Sequence, residues 1–143
     1  MKREETVDFH IKGTWHALAR MYSRKAQEFG LTTNTAFVLL NVNSEYGTRV
    51  TKIAPLMGLE VTSISRIMKS MEESGLIIRK PDPEDGRAVR VFLTKMGKEQ
   101  KSLATETVMS FNELVHRNIS KSKLDTFFEV MNKINELIEL KPV

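Results

Sequence analysis

The 143-residue sequence predicts a mainly α-helical fold with one small β-hairpin, and three observations carry that prediction. Apolar residues recur at spacings of three and four through most of the chain, the mark of helices buried along one stripe. The period changes to two only near residues 76–93, where two β-prone runs flank a tip bearing two prolines and a glycine. Gly30, Gly47, Gly58 and Gly75 divide the first half into segments of helix length.

Composition narrows the class. Apolar content of 41% with 28% charged residues belongs to a folded soluble chain, long enough for one domain or one small domain with helical extensions. The net charge of +4 permits a polyanionic partner, and its distribution is more telling than its size. Lys and Arg stand at four to one against Asp and Glu in residues 49–71 and at seven to four in residues 76–101, but at five to six in residues 102–143. With no cysteine, disulfides, thiolate metal sites and thiol redox sensing are excluded. No apolar run approaches the roughly 18 residues of a membrane span, and Met1-Lys2-Arg3-Glu4-Glu5 lacks a signal-peptide core, so a cytoplasmic protein is expected.

In chain order, Ile11, Trp15, Leu18, Tyr22, Ala26 and Phe29 form the stripe of a first helix over residues 7–29 that Gly30 stops. Thr32 or Thr33 caps a second helix through Phe37, Val38, Leu40 and Val42, ending near Tyr46-Gly47. Thr51 caps a short third helix through Ile53, Ala54, Leu56 and Met57, with Pro55 near enough to its start to be tolerated, and Gly58 ends it. A fourth helix begins at Val61 and runs to Gly75, so residues 51–74 have the form of a helix-turn-helix. Leu76–Lys80 and Ala88–Leu93, with Val89, Val91 and Leu93 on one side, make the hairpin, in whose tip Gly86 allows positive φ. A hairpin directly after such a helix is a wing, which makes the lobe a winged helix-turn-helix. Thr94 caps a long helix to about Ile119, and Ser120 or Ser122 opens a last one bearing Leu124, Phe127, Phe128, Met131, Ile134, Leu137 and Ile138.

The fourth helix is two-sided. Val61, Ile64, Met68 and Met71 form its apolar stripe, widened by Ile67. Thr62, Ser63, Ser65, Arg66, Lys69 and Ser70 lie opposite, hydroxyls and cations with no acid until Glu72. That face suits phosphates and base edges, although Ser and Thr also occur on ordinary surface helices. Lys95, Lys98 and Lys101 at the next helix start oppose its dipole, so a phosphate is what they are expected to face.

The run Glu72-Glu73-Ser74-Gly75-Leu76-Ile77-Ile78-Arg79-Lys80-Pro81-Asp82-Pro83-Glu84-Asp85-Gly86-Arg87, followed by Leu93-Thr94-Lys95-Met96-Gly97-Lys98, resembles the wing signature of the MarR family of bacterial transcriptional regulators. Asp85 and Arg87 match its characteristic acid and arginine, Ile53-Ala54 replaces its usual Leu-Ala, and Leu31-Thr32 matches its second-helix start. Gly86 stands where a second arginine is frequent, and Pro55 is unusual in that short helix. The resemblance covers nearly the whole chain. It implies a winged lobe at residues 31–100 flanked by helical dimerisation regions at 1–30 and 101–143, an obligate homodimer, and two lobes reaching into double-stranded DNA.

The expected DNA-binding set is Thr51, Thr62, Ser63, Ser65, Arg66, Lys69, Asp85, Arg87 and Arg90. Arg66 is the best base reader, since its fork can bond guanine O6 and N7 together, and Lys69 is expected on phosphates. Arg87 is placed to enter the minor groove. Asp85 would be repelled by phosphate, and the resemblance implies that it orders the wing by hydrogen bonds or an ion pair with an arginine; simple turn chemistry is the plainer reading of both. Trp15, His16, Tyr22, Phe37, Met109 and Phe111 could line a pocket for a small apolar or aromatic effector, where the family often binds ligands, or serve as dimer core. His10, His16, His116 and Glu113 make a weak metal signal, better read as ordinary surface or interface residues; no metal and no cofactor is expected. The sequence has no nucleophile paired with a base, no phosphate-cradling glycine loop and no spaced carboxylate pair, which argues against an enzyme. A regulator, read as a repressor of a palindromic operator released by a ligand, is the leading expectation; a winged protein-interaction or dimerisation module that does not read DNA is the alternative.

Overall fold

The structure, a computed structural model, describes residues 1–141. After a 3₁₀ turn at Arg3–Glu5, helix α1 spans Val7–Glu28, α2 Thr33–Asn41, α3 Val50–Leu56 and α4 Val61–Glu73. Strands β1 (Thr48–Arg49), β2 (Ile77–Pro81) and β3 (Val89–Leu93) form one antiparallel sheet in the order β1-β3-β2, and α5 (Lys95–Asn118) and α6 (Lys121–Glu139) follow. The mainly α fold with a hairpin wing is the one the sequence predicts. The chain divides into two compact units, the first covering Met1–Thr107 and the second starting at Val108.

The core of the first unit gathers one stripe from each short element. Val38, Leu39 and Val42, Ile53 and Ala54, Ile64, Met68 and Met71, and Leu76, Ile77, Val91 and Leu93 are all buried together. Each large side chain removed from water there contributes about 1.5–3 kcal/mol, which is what holds these five short elements as one lobe. Three stripe residues behave otherwise, among them Leu56 at the end of α3, which is 69% exposed. Val61 is 52% exposed because it is the first residue of α4, before the helix meets the lobe, and Val89 is exposed at the outer end of β3.

Local chemistry sets the element ends. Thr32 caps α2 by accepting from Thr35 N–H at 3.1 Å, and Ser120 caps α6 through Lys123 N–H. Helix α2 stops at Asn41, short of the Tyr46-Gly47 end expected from its pattern. Asn43 is the reason: its side chain accepts from Glu45 and Tyr46 N–H, and such local bonds compete with helix. The chain then enters β1, a two-residue strand too short to leave a periodic signal. Helix α3 starts at Val50 with Arg49 in the cap position, so Thr51 lies inside the helix and Pro55 falls in its last turn. Both α3 and α4 end on a glycine of positive φ, Gly58 at 63° and Gly75 at 77°. The following Leu59 and Leu76 N–H groups return to Ala54 and Met71 carbonyls, closing the turn of the helix-turn-helix and launching β2. Gly86 in the wing tip uses no such freedom, since its φ is not positive.

At the start of α5, Thr94 Oγ1 accepts from Gly97 N–H at 3.0 Å and donates to the Gly75 carbonyl at 2.6 Å. This pins the helix against the α4–β2 turn so closely that a Cβ on Gly97 would stand 2.1 Å from the Leu76 carbonyl oxygen. Lys101, expected to face a phosphate, instead donates to the Val42 carbonyl, and burial holds its pKa below the ordinary lysine value.

The wing is fastened at its root by Asp82, 3% exposed in a loop of exposed neighbours. Arg49 donates to both carboxylate oxygens at 3.0 Å, and Arg90 Nε donates at 2.7 Å. Glu84 and Asp85 N–H add 2.9 and 3.1 Å bonds to Oδ1, while Arg90 Nη1 reaches the Tyr46 and Gly47 carbonyls. One carboxylate thus joins the β1–α3 junction, the wing loop and β3. The paired guanidinium groups and the backbone donors hold its pKa well below the usual carboxylate range, against the opposing effect of burial.

Two outcomes test this frame. Gly97→Ala should cost about 1–3 kcal/mol in urea unfolding by overpacking, whereas Gly86→Ala, whose Cβ meets nothing within 4 Å, should stay within about 0.5 kcal/mol of wild type. Asp82→Asn should lower the thermal midpoint at pH 7 by on the order of 5 °C. Because the folded carboxyl titrates below its unfolded value of about 3.9, its contribution is complete above about pH 4 and fades as pH falls below that. The gap between wild type and variant should therefore close in acid; an undiminished gap at about pH 2 would mean that the carboxylate charge is not what Asn removes.

Candidate nucleic-acid interface

Helix α4 keeps its cations free because its acids come late. Burial of Ile64, Met68 and Met71 turns Thr62, Ser63, Arg66, Lys69 and Ser70 outward, with Ser65 half-buried at the edge. Among the described residues neither Arg66 nor Lys69 has an acid within ion-pair distance. The first turn of α4 has no side-chain cap from Glu60, so its amides keep their donor capacity. A helix end with unsatisfied N–H groups and unneutralised cations attracts an anionic chain.

The acids at the far end of α4 are partly used internally. Glu72 accepts from Arg79 of β2 at 2.9 Å, an ion pair about one-third exposed on each side. The hydrogen bond from Arg79 lowers the Glu72 pKa and raises that of Arg79, in both cases against partial burial. The pair ties the last turn of α4 to the first wing strand.

At the wing tip the Arg87 side chain is 96% exposed. Asp85 Oδ1 accepts from Arg87 N–H at 3.1 Å and lies 3.5 Å from its Nε. Asp85 therefore shapes the tip beside Arg87 by a local contact between residues two apart. Arg90 stands at the wing root with most of its fork committed to Asp82 and to two carbonyls. Thr51 is exposed in the first turn of α3. Nothing in the sequence analysis singles out Asp82 or Arg49; an acid enclosed by Pro81 and Pro83 is the available signal.

Three of the six residues read as a possible effector site meet within the first unit. Phe37 stacks on Trp15 with centroids 6.5 Å apart and meets Tyr22 edge-on at 6.3 Å, all within the first unit. His16 faces a shallow recess with Thr6, Phe9 and Lys12. Met109 and Phe111 belong to the second unit, Met109 exposed and Phe111 half-buried. His10 donates to the Glu4 carbonyl at 2.7 Å, and among the described residues no group of three or more His, Asp or Glu is placed to hold a metal.

Comparison with known proteins agrees with this geometry. The MarR family profile matches residues 31–89, from the start of α2 to the start of β3. The uncharacterized HTH-type transcriptional regulator YxaD of Bacillus subtilis (strain 168) is 27% identical over 133 residues, covering 92% of each chain. Among solved structures, CouR from Rhodococcus jostii RHA1 bound to p-coumaroyl-CoA superposes with a TM-score of 0.83 at 19% identity, covering 94% of each chain. The MepR–DNA complex of S. aureus gives 0.81 at 17% identity, covering 92% of this chain and 97% of that one. No helix among the described residues is long and apolar enough to cross a membrane. An outward face of α4 without acids before Glu72, beside an anchored wing, coincides with the profile match, so residues 31–89 are similar to the MarR family of transcriptional regulators.

Proposed function

We infer that the protein works in the cytoplasm as a homodimeric repressor, reading a palindromic operator with two copies of α4 and leaving it when a small molecule binds. The unneutralised donor face of α4 is the observation that carries this reading. In it, Arg66 contributes base discrimination of about 1–3 kcal/mol through a bidentate contact, the hydroxyls of Thr62, Ser63 and Ser65 bond bases or phosphates, and Lys69 sits on phosphate. Arg87 enters the minor groove from the wing while Asp85 and Asp82 hold the tip and root. Thr51, exposed in the first turn of α3, bonds the DNA backbone, whereas Arg90, with its fork committed to Asp82, supports the wing and does not touch DNA. That MepR, similar in fold, forms a complex with DNA supports DNA as the partner.

Dimerisation is supported by apolar surface that the chain leaves uncovered. In the terminal regions, 1–30 and 101–143, Val7, Phe9, Ile11 and Trp15 of α1 are exposed, as are Phe127, Phe128, Val130, Leu137 and Ile138 of α6. Large apolar side chains exposed along a helix in this way mark an interface. A second copy covers it and sets the two α4 helices at half-sites about 34–36 Å apart. An effector that favours another lobe spacing would then lower operator affinity by selecting the mismatched state. The aromatic cluster of Trp15, Tyr22 and Phe37, and the p-coumaroyl-CoA bound by CouR, support an aromatic effector, with His16, Met109 and Phe111 as further candidates.

Arg66→Ala should weaken operator binding by roughly 5- to 150-fold and random-duplex binding much less; equal losses on the two duplexes would reduce Arg66 to a phosphate contact. If the wild-type chain showed no salt-dependent binding to any duplex, the non-reading interaction module would take the place of this reading. Deleting residues 121–143 should abolish the dimer, and sedimentation of the truncated chain as an intact folded dimer would refute the assignment of α6 to the interface.

A further inference from the structure

The lobe contains a recess unconnected with the aromatic cluster. It has a volume of about 280 Å³ and lies where the α1–α2 turn, the last turn of α4 and the start of α5 meet, all inside the first unit. Its polar lining is Thr32 and Thr35 of α2, Ser70 and Ser74 at the end of α4, and Gln100 of α5. Phe29, Leu31, Met71, Leu76 and Met96 supply apolar wall. No residue that lines it carries a charge.

Gln100 is the distinctive member. Its side-chain carbonyl oxygen is shut off from solvent and, alone among buried side-chain polar atoms of the described residues, accepts no hydrogen bond. A buried acceptor without a donor is costly, and native structures seldom keep one without a use. Gln100 also lines the recess, so the side chain that carries the orphan acceptor borders this space.

We propose that this recess is a binding site for a small neutral alcohol or amide carrying an apolar ring, whose donor satisfies Gln100. The uncharged lining disfavours a carboxylate or phosphate, which would lose water without gaining a cation. The volume lies at the lower end of ligand pockets and suits one ring with a short polar arm. An occupant touches Ser70, Met71 and Ser74, and so braces the C-terminal turn of α4 against α5; its regulatory meaning, though not the site, rests on the DNA-binding reading.

The test is an amide-resolved NMR titration of the full chain with benzyl alcohol, anisole and benzoate. Benzyl alcohol should give saturable shifts confined to the amides of Thr32, Ser70 and Ser74 and the Gln100 side chain, binding about fivefold more tightly than anisole, which lacks the donor. Benzoate should not saturate. Gln100→Met, which removes the orphan acceptor at similar volume, should raise the thermal midpoint and erase the preference for the alcohol over anisole. Equal binding of alcohol and anisole to wild type, a preference that survives Gln100→Met, or saturable benzoate binding at these positions would overturn the proposal. Duplex binding without probe is read separately: saturable alcohol binding in a chain that ignores duplex would leave the site standing and refute the DNA reading, and the opposite pair of results would refute the site alone.

Discussion

A carboxylate removed from water must be met by donors, and at Asp82 this constraint fixes the geometry on which the wing depends. The carboxylate draws Arg49 from the β1–α3 junction and Arg90 from β3 onto one point, and its own loop folds over it through two backbone N–H groups. Net stabilisation from such an ion cluster is small compared with apolar packing, because desolvation offsets attraction. Its effect is directional: five donors converge on two oxygens, so the loop has few ways to satisfy them. The exposed tip, with Asp85 and Arg87, is held out from a root that cannot easily turn.

A similar partition of charge organises α4. Its C-terminal acid Glu72 is drawn to Arg79, and Lys101 on the neighbouring helix is turned inward to a carbonyl, while Arg66 and Lys69 keep their charge outward. The cations available to a polyanion are therefore a subset of those in the sequence. Counting basic residues overstates the face; knowing which ones already have partners defines it.

The packed lobe and the terminal helices differ in how completely they bury their apolar residues. Ile64, Met68 and Met71 are almost wholly covered within the lobe, whereas Trp15 of α1 is 51% exposed and Phe127 of α6 is 53% exposed. Both kinds of helix are amphipathic by pattern. The lobe completes its core with strands and short helices of its own chain, and the long helices present apolar surface beyond what their own units cover. This contrast underlies the proposal of a two-copy assembly, in which recognition by α4 depends on surfaces far from it in sequence.

What the sequence by itself determined is what a few neighbouring residues decide. The 3.6-residue stripes, a cap at Thr32 or Thr33 and at Ser120 or Ser122, the Gly58 and Gly75 terminations and the two-residue period of the wing all act over one turn or one strand, so their elements were legible. Tertiary structure alone decided the rest. The Asp82–Arg49 pair spans 33 positions, and nothing local says which of the nearby cations the acid will take. Strand β1 exists only because β3 offers it a partner, Val61 and Val89 leave the core because their elements extend past it, and Lys101 turns inward because the Val42 carbonyl happens to meet it. Local signals lie in the order of residues, but a partner brought from elsewhere in the chain is specified only once the fold has closed.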